Sequence, residues 1–550
     1  MVEISVDDRI IQAQSGQSIL EALIAGGLLL RSDCGGRGRC AKCRVRITEA
    51  APGAVSAMGE IEAAALDREE RAAGIRLACR AVLSGNVTLE IPESSRLSPE
   101  VARKGPPLLF QRLKGKKAAS APSSGHRWGL AVDLGTTTIA VYLCDRQKAE
   151  VSASMSVRNP QAVFGDDVMS RIGAARSDSG SLARMQRLVV KSLDWAADNI
   201  CSSARVNLAE VQELVAVGNT TMIHLLLGEN PSSIGVYPYR PEFVESRRLP
   251  AGTLGFKFNP EAHLTTLPLI TGFIGSDIVA AALAAELDDR DPGTLLVDVG
   301  TNGEIMATAA SGLAATSCAT GPAFEGAAIR HGMQALSGAV DGVRIEPQSG
   351  RVDCSLIQHR PYRPKRPAGL CGSGVISVVA AMLRAGWLQP SGAFDRGTIP
   401  KRLLTEDNGQ TALLLVPASE SESGRPITLT QKDVRAVQLA KGALRAGIDL
   451  LDRKLGFDSP RHLLLAGAFG STIDIADALT IGMFPPMPEQ SVAVIGNAAG
   501  AGAILAVFEA PVVRKAQDLC RQTEVIELAE LPDFQETFVG ALSFPEAHSL

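Results

Sequence analysis

The spacing of four cysteines constrains this chain more than any other feature. Cys34, Cys40, Cys43 and Cys79 follow the pattern Cys-x5-Cys-x2-Cys-x35-Cys. Four thiolates around two irons make the full ligand set of a [2Fe-2S] centre. Three of them come from one loop, which must wrap closely around the metal. Gly35, Gly36 and Gly38 permit that, because glycine tolerates unusual backbone angles and close approach. Their N–H groups can also point at the sulfurs and stabilise the reduced state. Zinc is the competing reading, but zinc knuckles usually pair two Cys-x2-Cys arms. Here the first spacing is five and the fourth cysteine stands alone, which favours the [2Fe-2S] reading. The other six of ten cysteines (Cys144, Cys201, Cys318, Cys354, Cys371, Cys520) share no spacing. That usage suits a reducing cytoplasm, with the clustered thiolates kept for metal.

A chain of 550 residues asks for more than one domain. Residues 1–93 alternate short strand-like runs (Val2 to Val6, Val87 to Ile91) with a helix near Ser18 to Ala25 and glycine-rich loops, which predicts a β-grasp-sized unit. Residues 94–127 carry eight Lys/Arg against one acid, Glu100, among Pro, Ser, Ala and Gly. Such a stretch buries too little surface to fold alone and reads as a basic linker. From Trp128 to the end, strands and helices alternate. A helix is expected over Gln431 to Leu455, because Thr430 can cap it with Asp433 three residues on. Val434, Val437, Leu444, Ile448 and Leu451 would line its packed face. Pro390 to Arg425 is polar and turn-rich and reads as a surface insertion.

The net charge of -4 gives no bulk attraction to nucleic acid or membrane. The apolar run Ile19 to Leu30 is too short to span a bilayer and carries Glu21; Leu267 to Leu287 is broken by Asp277 and Glu286. The polar N-terminus is not a signal peptide. A cytoplasmic protein is expected.

One internal repeat organises the long C-terminal part. Leu130 to Thr136 (LAVDLGT) matches Leu295 to Thr301 (LLVDVGT). In both, an apolar strand runs into Asp-x-Gly-Thr and on into a second strand, a hairpin with a glycine turn. Two copies predict two similar lobes, about 128–290 and 291–550, facing each other. Phosphates need backbone donors that come close, which is what Gly135 and Gly300 allow. Thr136, Thr137 and Thr301 add hydroxyls. Asp133 and Asp298 can hold Mg²⁺ through waters, since Mg²⁺ prefers oxygen and keeps its hydration. Each motif alone is a common turn; the pair in register with apolar strands points to ATP. Gly-rich loops at Gly369 to Gly374 (with Gly372), Leu465 to Ser471 (with Gly467 and Gly470) and Gly496 to Gly502 either approach a nucleoside or pack helices closely. No Walker A lysine motif is present.

The cluster loop resembles that of adrenodoxin-like ferredoxins, with five residues in the first gap where the plant kind has four. It is also basic: Arg37, Arg39, Lys42, Arg44 and Arg46, with Arg76 and Arg80 beside the last ligand. Such a rim would raise the reduction potential and favour an acidic docking partner, or simply be solvated.

An N-terminal ferredoxin joined to this two-lobed module resembles the reductive activators of corrinoid proteins, within the acetate and sugar kinase/Hsp70/actin superfamily. The resemblance rests on Asn159-Pro160-Gln161 with Gly165 to Val168, on Val217 to Met222, Gly272 to Asp277, Asp298 to Glu304, and Ala319 to Gly326. It implies an α/β multidomain chain: a β-grasp ferredoxin, then an actin/Hsp70-like ATPase. It implies ATP-driven transfer of an electron from the cluster to Co(II) of a corrinoid protein in a methyltransferase system. An upstream reductase or ferredoxin would supply the electron, and the assembly is left open, a homodimer included. Asp133 and Asp298 would position Mg²⁺; Thr136, Thr137, Thr301, Asn302 and Gly303 would hold phosphates; Glu304 or Glu325 would orient the attacking water. Two features depart from some members. The segment between ferredoxin and ATPase is reduced to the linker, and a lone Cys520 excludes a C-terminal pair of [4Fe-4S] clusters. The competing functions are activation of another low-potential metalloenzyme and an ATP-gated redox-sensing binding protein; a sugar kinase would leave the ferredoxin unexplained.

Overall fold

A computed structural model describes residues 1–550 apart from 33–35, 37, 39–40, 98–100, 103–105, 110–126, 301, 327–328, 359–365, 408, 468–472 and 547–550. The chain divides into two compact units, Met1–Gly105 with Leu113–Ala280 and Gly500–Gln517, and Pro106–Arg112 with Ala281–Ala499 and Asp518–Leu550.

The first unit begins with a five-stranded sheet in the order β2-β1-β5-β3-β4. Its strands are β1 (Val2–Val6), β2 (Arg9–Ala13), β3 (Arg44–Ala50), β4 (Ile75–Leu77) and β5 (Val87–Glu90). Strand β1 alternates buried Val2, Ile4 and Val6 with outward residues, the period of a half-covered strand. Helix α1 (Ile19–Ala25) covers that face; Ser18 caps it by accepting from the Glu21 N–H at 3.2 Å. Much of the expected linker lies outside the described residues, but Val101–Ala102 forms β6, paired at the edge of the next sheet.

That second sheet has the order β11-β12-β10-β7-β8-β9-β6. It is built from β7 (Trp128–Leu134), β8 (Thr138–Asp145), β9 (Glu150–Arg158), β10 (Val211–Val217), β11 (Arg248–Pro250) and β12 (His263–Thr266). Helices α2 (Val168–Ser177), α3 (Ser179–Ala204) and α4 (Thr220–Leu227) connect its strands, and α5 (Ser276–Ala284) follows β12. The second unit carries a six-stranded sheet, β23-β22-β13-β14-β15-β24. Its strands are β13 (Thr294–Val299), β14 (Gly303–Ala309), β15 (Gly312–Cys318), β22 (His462–Ala466), β23 (Val492–Gly496) and β24 (Thr523–Val525).

The repeat read from the sequence is a repeat of topology. In β12-β10-β7-β8-β9 and in β23-β22-β13-β14-β15 the first three strands run parallel and the last three antiparallel. The Asp-x-Gly-Thr hairpins β7/β8 and β13/β14 occupy the same place in each. The central strands β7 and β13 are buried almost throughout, as expected of strands covered on both faces.

Helix α6 (Gly372–Arg384) and helix α7 (Gln431–Leu455) pack in the second unit. Thr430 and Asp433 make the full capping box on α7, and Gly456, at φ 80°, ends it. Val434, Val437, Leu444, Ile448 and Leu451 are all buried, as their spacing requires. The segment Pro390 to Arg425 corrects its sequence reading. It supplies β19 (Leu404–Asp407) and β20 (Gln410–Val416), which pair with β21 (Ile427–Thr430), and it buries Phe394, Ile399, Leu413, Leu415 and Val416 in the main core. The apolar run Ala412 to Val416 was the local sign of that burial, set between polar, turn-rich stretches on both sides.

Asp452, near the end of α7, is 2% exposed, and neither carboxylate oxygen has a hydrogen-bond partner. Burial, then the neighbouring Asp449, pushes its acid up to about 7, against the pull of Arg445. An acid raised in the folded state stabilises below its unfolded value and loses that contribution as pH rises to the folded one. Stability should therefore fall between about pH 4 and 7 by up to ~4 kcal/mol from this group. Asp452→Asn should gain melting temperature over the native chain between pH 5 and pH 8; a difference that does not change with pH would refute this.

Candidate functional site

Two of the four cluster cysteines, Cys34 and Cys40, lie outside the described residues; Cys43 and Cys79 lie within them. The Cys43 carbonyl accepts from the Ala78 N–H at 2.8 Å, which sets the residue beside Cys79 against it. Cys43 is 1% exposed and Cys79 is half-buried. Gly36 has φ +84°, and a methyl group there would lie 3.8 Å from Cys79 Cβ, so Gly36 lies beside Cys79. This donor chemistry fits a thiolate-held [2Fe-2S] group. Five of the other cysteines are held protonated by burial. Burial pushes Cys201 and Cys520 up to about 12 and Cys354 to about 11, and raises Cys144 and Cys318 further. Such thiols stay protonated and are poor ligands.

The basic rim is partly neutralised. Arg44 pairs with Glu70 at 2.7 Å, Arg46 with Glu90 at 3.4 Å, and Arg76 with the buried Glu62 at 2.9 Å. Among the described residues of the rim, Arg44, Arg46 and Arg76 therefore have carboxylate partners in their own domain. The carboxylates come from distant segments, so no local pattern marks the pairing.

The first phosphate turn, between β7 and β8, is held on every side. The Gly135 N–H donates to the Thr138 carbonyl at 3.0 Å, and a methyl group at Gly135 would meet that oxygen at 2.5 Å. Only glycine fits. Asn159 Nδ2 donates to the Gly135 carbonyl at 2.9 Å, and the Asn159 N–H to Thr137 O at 2.8 Å. Asn219, the cap of α4, donates through Nδ2 to Thr136 Oγ1 at 2.9 Å. Arg171, fully buried, donates to Thr136 O at 2.6 Å and to Gly165 O at 2.9 Å. Asp133, half-buried, ends β7 opposite Val217 and Ala140. The segments Asn159 to Gln161, Gly165 to Val168 and Val217 to Met222, quoted above only as a resemblance, thus converge on this turn. Ser276 extends the frame by exchanging hydrogen bonds with Gly218 at 3.0 and 3.1 Å. Asp277 beside it, half-buried at the start of α5, is pushed up to about 6 by burial. Sequence reading passed over Asn159, Arg171, Asn219 and Asp277 as site residues. Their one local signal is that Asn159 and Asn219 precede Pro and Thr-Thr, as helix caps do.

Arg171→Met should cost about 2–5 kcal/mol, because it strands two buried carbonyls and removes a buried charge. It should also weaken nucleotide binding at the turn it braces. Thermal unfolding and titration with an ATP analogue would check both, and unchanged values in both would contradict the bracing role.

The second turn, between β13 and β14, is built alike. The Gly300 N–H donates to Asn302 O at 3.1 Å, and Thr320 Oγ1 to Gly300 O at 3.0 Å. Thr301 lies outside the described residues. Asp298 and Glu304 are direct cross-strand partners, so their side chains leave the same face of the hairpin. Glu304 is 6% exposed and Asp298 half-buried. Gly467, at φ +92°, follows β22, and a methyl group there would lie 2.6 Å from Asp298 Oδ1. Gly303 is buried against Cys318, Leu444 and Thr320. Glu325 ends the short turn Pro322–Glu325. Gly372 opens the buried helix α6, where a methyl group at Gly374 would lie 2.1 Å from Val340 O; that loop packs helix on sheet. Gly470 lies outside the described residues.

No helix among the described residues is long and apolar enough to cross a membrane. Three family models match the chain: a 2Fe-2S iron-sulfur cluster binding domain over residues 2–84, the RACo middle region over 128–290, and the C-terminal domain of RACo, the ASKHA domain, over 293–550. The chain is 30% identical to the corrinoid activation enzyme RamQ of Eubacterium limosum, covering 96% of each. It is 26% identical to the [Co(II) methylated amine-specific corrinoid protein] reductase of Methanosarcina barkeri, over 73% of this chain and 72% of that one. Among solved structures, a reductive activator for a corrinoid, iron-sulfur protein superposes with a TM-score of 0.69 at 26% identity, covering 99% of both chains. With a 2Fe-2S domain, a duplicated Asp-x-Gly-Thr hairpin and this similarity along its whole length, the chain belongs to the RACo family of corrinoid-protein activators.

Proposed function

We propose that this chain uses ATP to move one electron from its [2Fe-2S] cluster to the Co(II) form of a corrinoid protein, restoring Co(I) in a methyltransferase system. The observation that carries the reading is similarity over 96% of the chain to an enzyme named for corrinoid activation, in a chain that keeps the cluster cysteines and both Asp-x-Gly-Thr turns. When bound, the cluster supplies a one-electron carrier, and ATP with Mg²⁺ supplies free energy for an unfavourable transfer.

The chain's residues divide the work. Cys34, Cys40, Cys43 and Cys79 hold the cluster. Gly135 and Gly300 make the tight turns that let the chain come close to phosphate, with Thr136, Thr137, Thr301, Asn302 and Gly303 beside them. Asp133 and Asp298 are the carboxylates assigned to Mg²⁺. Glu304 orients the attacking water, with Glu325 the alternative. Gly467 keeps Asp298 in place, and Gly372 and Gly470 belong to loops assigned to the nucleoside side. An upstream reductase or ferredoxin in the cytoplasm refills the cluster.

The test is anaerobic. Reduced protein, ATP and a Co(II) corrinoid protein are mixed, and the Co(I) absorbance is followed. The reading expects Co(I) with ATP and little without it. No Co(I) with any corrinoid protein encoded beside this chain would overturn it.

A further inference from the structure

One short segment touches both the first phosphate turn and the cluster loop. It begins at Asn159, which is fully buried and holds the turn through two hydrogen bonds, to Thr137 O and Gly135 O. The Asn159 Oδ1 also accepts from the Gln161 N–H at 3.0 Å and so starts a 3-10 turn over Pro160–Val163. Pro160 fixes its own φ, and Gln161 is tied to Met185 O at 3.1 Å, so the segment is stiff. Its far end, Val163, packs into the ferredoxin core. A methyl group at Gly36 would lie 3.6 Å from Val163 Cγ1 and 3.8 Å from Cys79 Cβ. Gly36 lies between the ligands Cys34 and Cys40.

The ferredoxin is fastened around this contact. Leu188 of α3 belongs to the ferredoxin core, and Arg184 of α3 reaches Glu21 of α1 at 3.3 Å while its guanidinium lies 5.2 Å from the Phe164 ring. A small cavity of about 50 Å³ sits beside the segment, lined by Leu20, Ile24 and Ser32 from one side and Asn159, Pro160 and Val163 from the other. Close-packed contacts pass displacements on, and a small void gives them room to occur.

We propose that the segment Asn159 to Val163 is a strut that couples nucleotide occupancy of the first phosphate turn to the cluster loop, with Asn159 and Val163 as positioning residues for the electron transfer. Phosphate drawing on the amides of Thr136 and Thr137 shifts the carbonyls that Asn159 holds. The stiff turn carries the shift to Gly36, which repacks over Cys79 and changes what surrounds the sulfur. The inference rests on the function proposed above, since it assumes that both sites serve one reaction.

Coupling between two sites is reciprocal: if nucleotide alters how readily the cluster is reduced, reduction alters nucleotide affinity by the same factor. That gives a readout independent of turnover. A non-hydrolysable ATP analogue is titrated into the whole, cluster-loaded protein, once oxidised and once reduced. The native chain should show at least about a fivefold difference in Kd between the two states. Val163→Ala deletes the Cγ contact with Gly36 and should bring the two values together, with the visible spectrum of the cluster retained. Val163→Ile keeps the contact and should keep the difference. Equal affinities in the native chain, or an undiminished difference in Val163→Ala, would overturn the strut. A native chain that makes Co(I) with ATP but shows equal affinities sinks the strut and leaves the function; the difference without any Co(I) sinks the function and leaves the strut.

Discussion

Cys79→Ser should abolish the [2Fe-2S] cluster and, with it, all Co(I) formation. Serine is nearly isosteric, so the ferredoxin sheet should persist. The hydroxyl does not ionise near neutral pH and cannot replace a soft thiolate on iron. Cys79 is the one ligand outside the loop, and Cys43 is tied to its neighbour Ala78. Losing it should leave the loop thiolates without a closed ligand set. Iron content and the visible spectrum should fall to background, and nucleotide affinity should no longer differ between oxidising and reducing conditions. Cys144→Ser is the control. Cys144 is fully buried in β8, and its Sγ lies 3.7 Å from Tyr142 O. It should keep a normal cluster. Equal iron in the native chain and Cys79→Ser would remove Cys79 from the ligand set.

The second large effect is expected at Asp298. Asp298→Asn keeps the shape of the hairpin and removes one negative charge from the place assigned to Mg²⁺. Loss of an electrostatic group at a phosphoryl site lowers turnover by about 100-fold or more. ATP hydrolysis should fall by that order, and Co(I) formation with it. Gly467→Ala asks the same question through geometry. The new methyl group would lie 2.6 Å from Asp298 Oδ1, on a backbone at φ +92° that alanine adopts with strain. It should displace the carboxylate and lower ATPase activity without touching a charge. Full ATPase activity in Asp298→Asn would end the Mg²⁺ assignment. Glu304 is tested separately, because its place opposite Asp298 fits either an active or a supporting carboxylate. Glu304→Gln with unchanged hydrolysis would move the water-orienting role away from it.

Local patterns in the chain carried the fold a long way. The alternation of Val2, Ile4 and Val6, the capping pair Thr430 and Asp433, and the two LxVDxGT runs each depend on neighbours within a few residues. The structure has the strand, the capped helix and the duplicated hairpin at those places. Long-range pairing was not legible in the same way. Glu62 with Arg76, Glu70 with Arg44 and Glu90 with Arg46 come from separate segments, and they turn a bare basic rim into a partly neutral one. Arg171, Asn159 and Asn219 act on the first turn from three different elements. Beyond the capping pattern at Asn159 and Asn219, nothing in their own surroundings marks them, because a hydrogen bond to a distant carbonyl leaves no period or spacing in a sequence.

The division falls along that line. By itself the sequence determined the duplicated Asp-x-Gly-Thr turns and the two classes of module, and it singled out four cysteines at ferredoxin spacing, since ligand spacing, glycine at a tight turn and apolar periodicity are local requirements. Only the tertiary structure decided that the ferredoxin and the first phosphate turn belong to one compact unit. It alone placed Val163 against Gly36, and Asn159 on the turn. The physical reason is that contact between two sites depends on how separately specified elements pack, and close packing across elements is a property of the folded chain, not of any stretch of it.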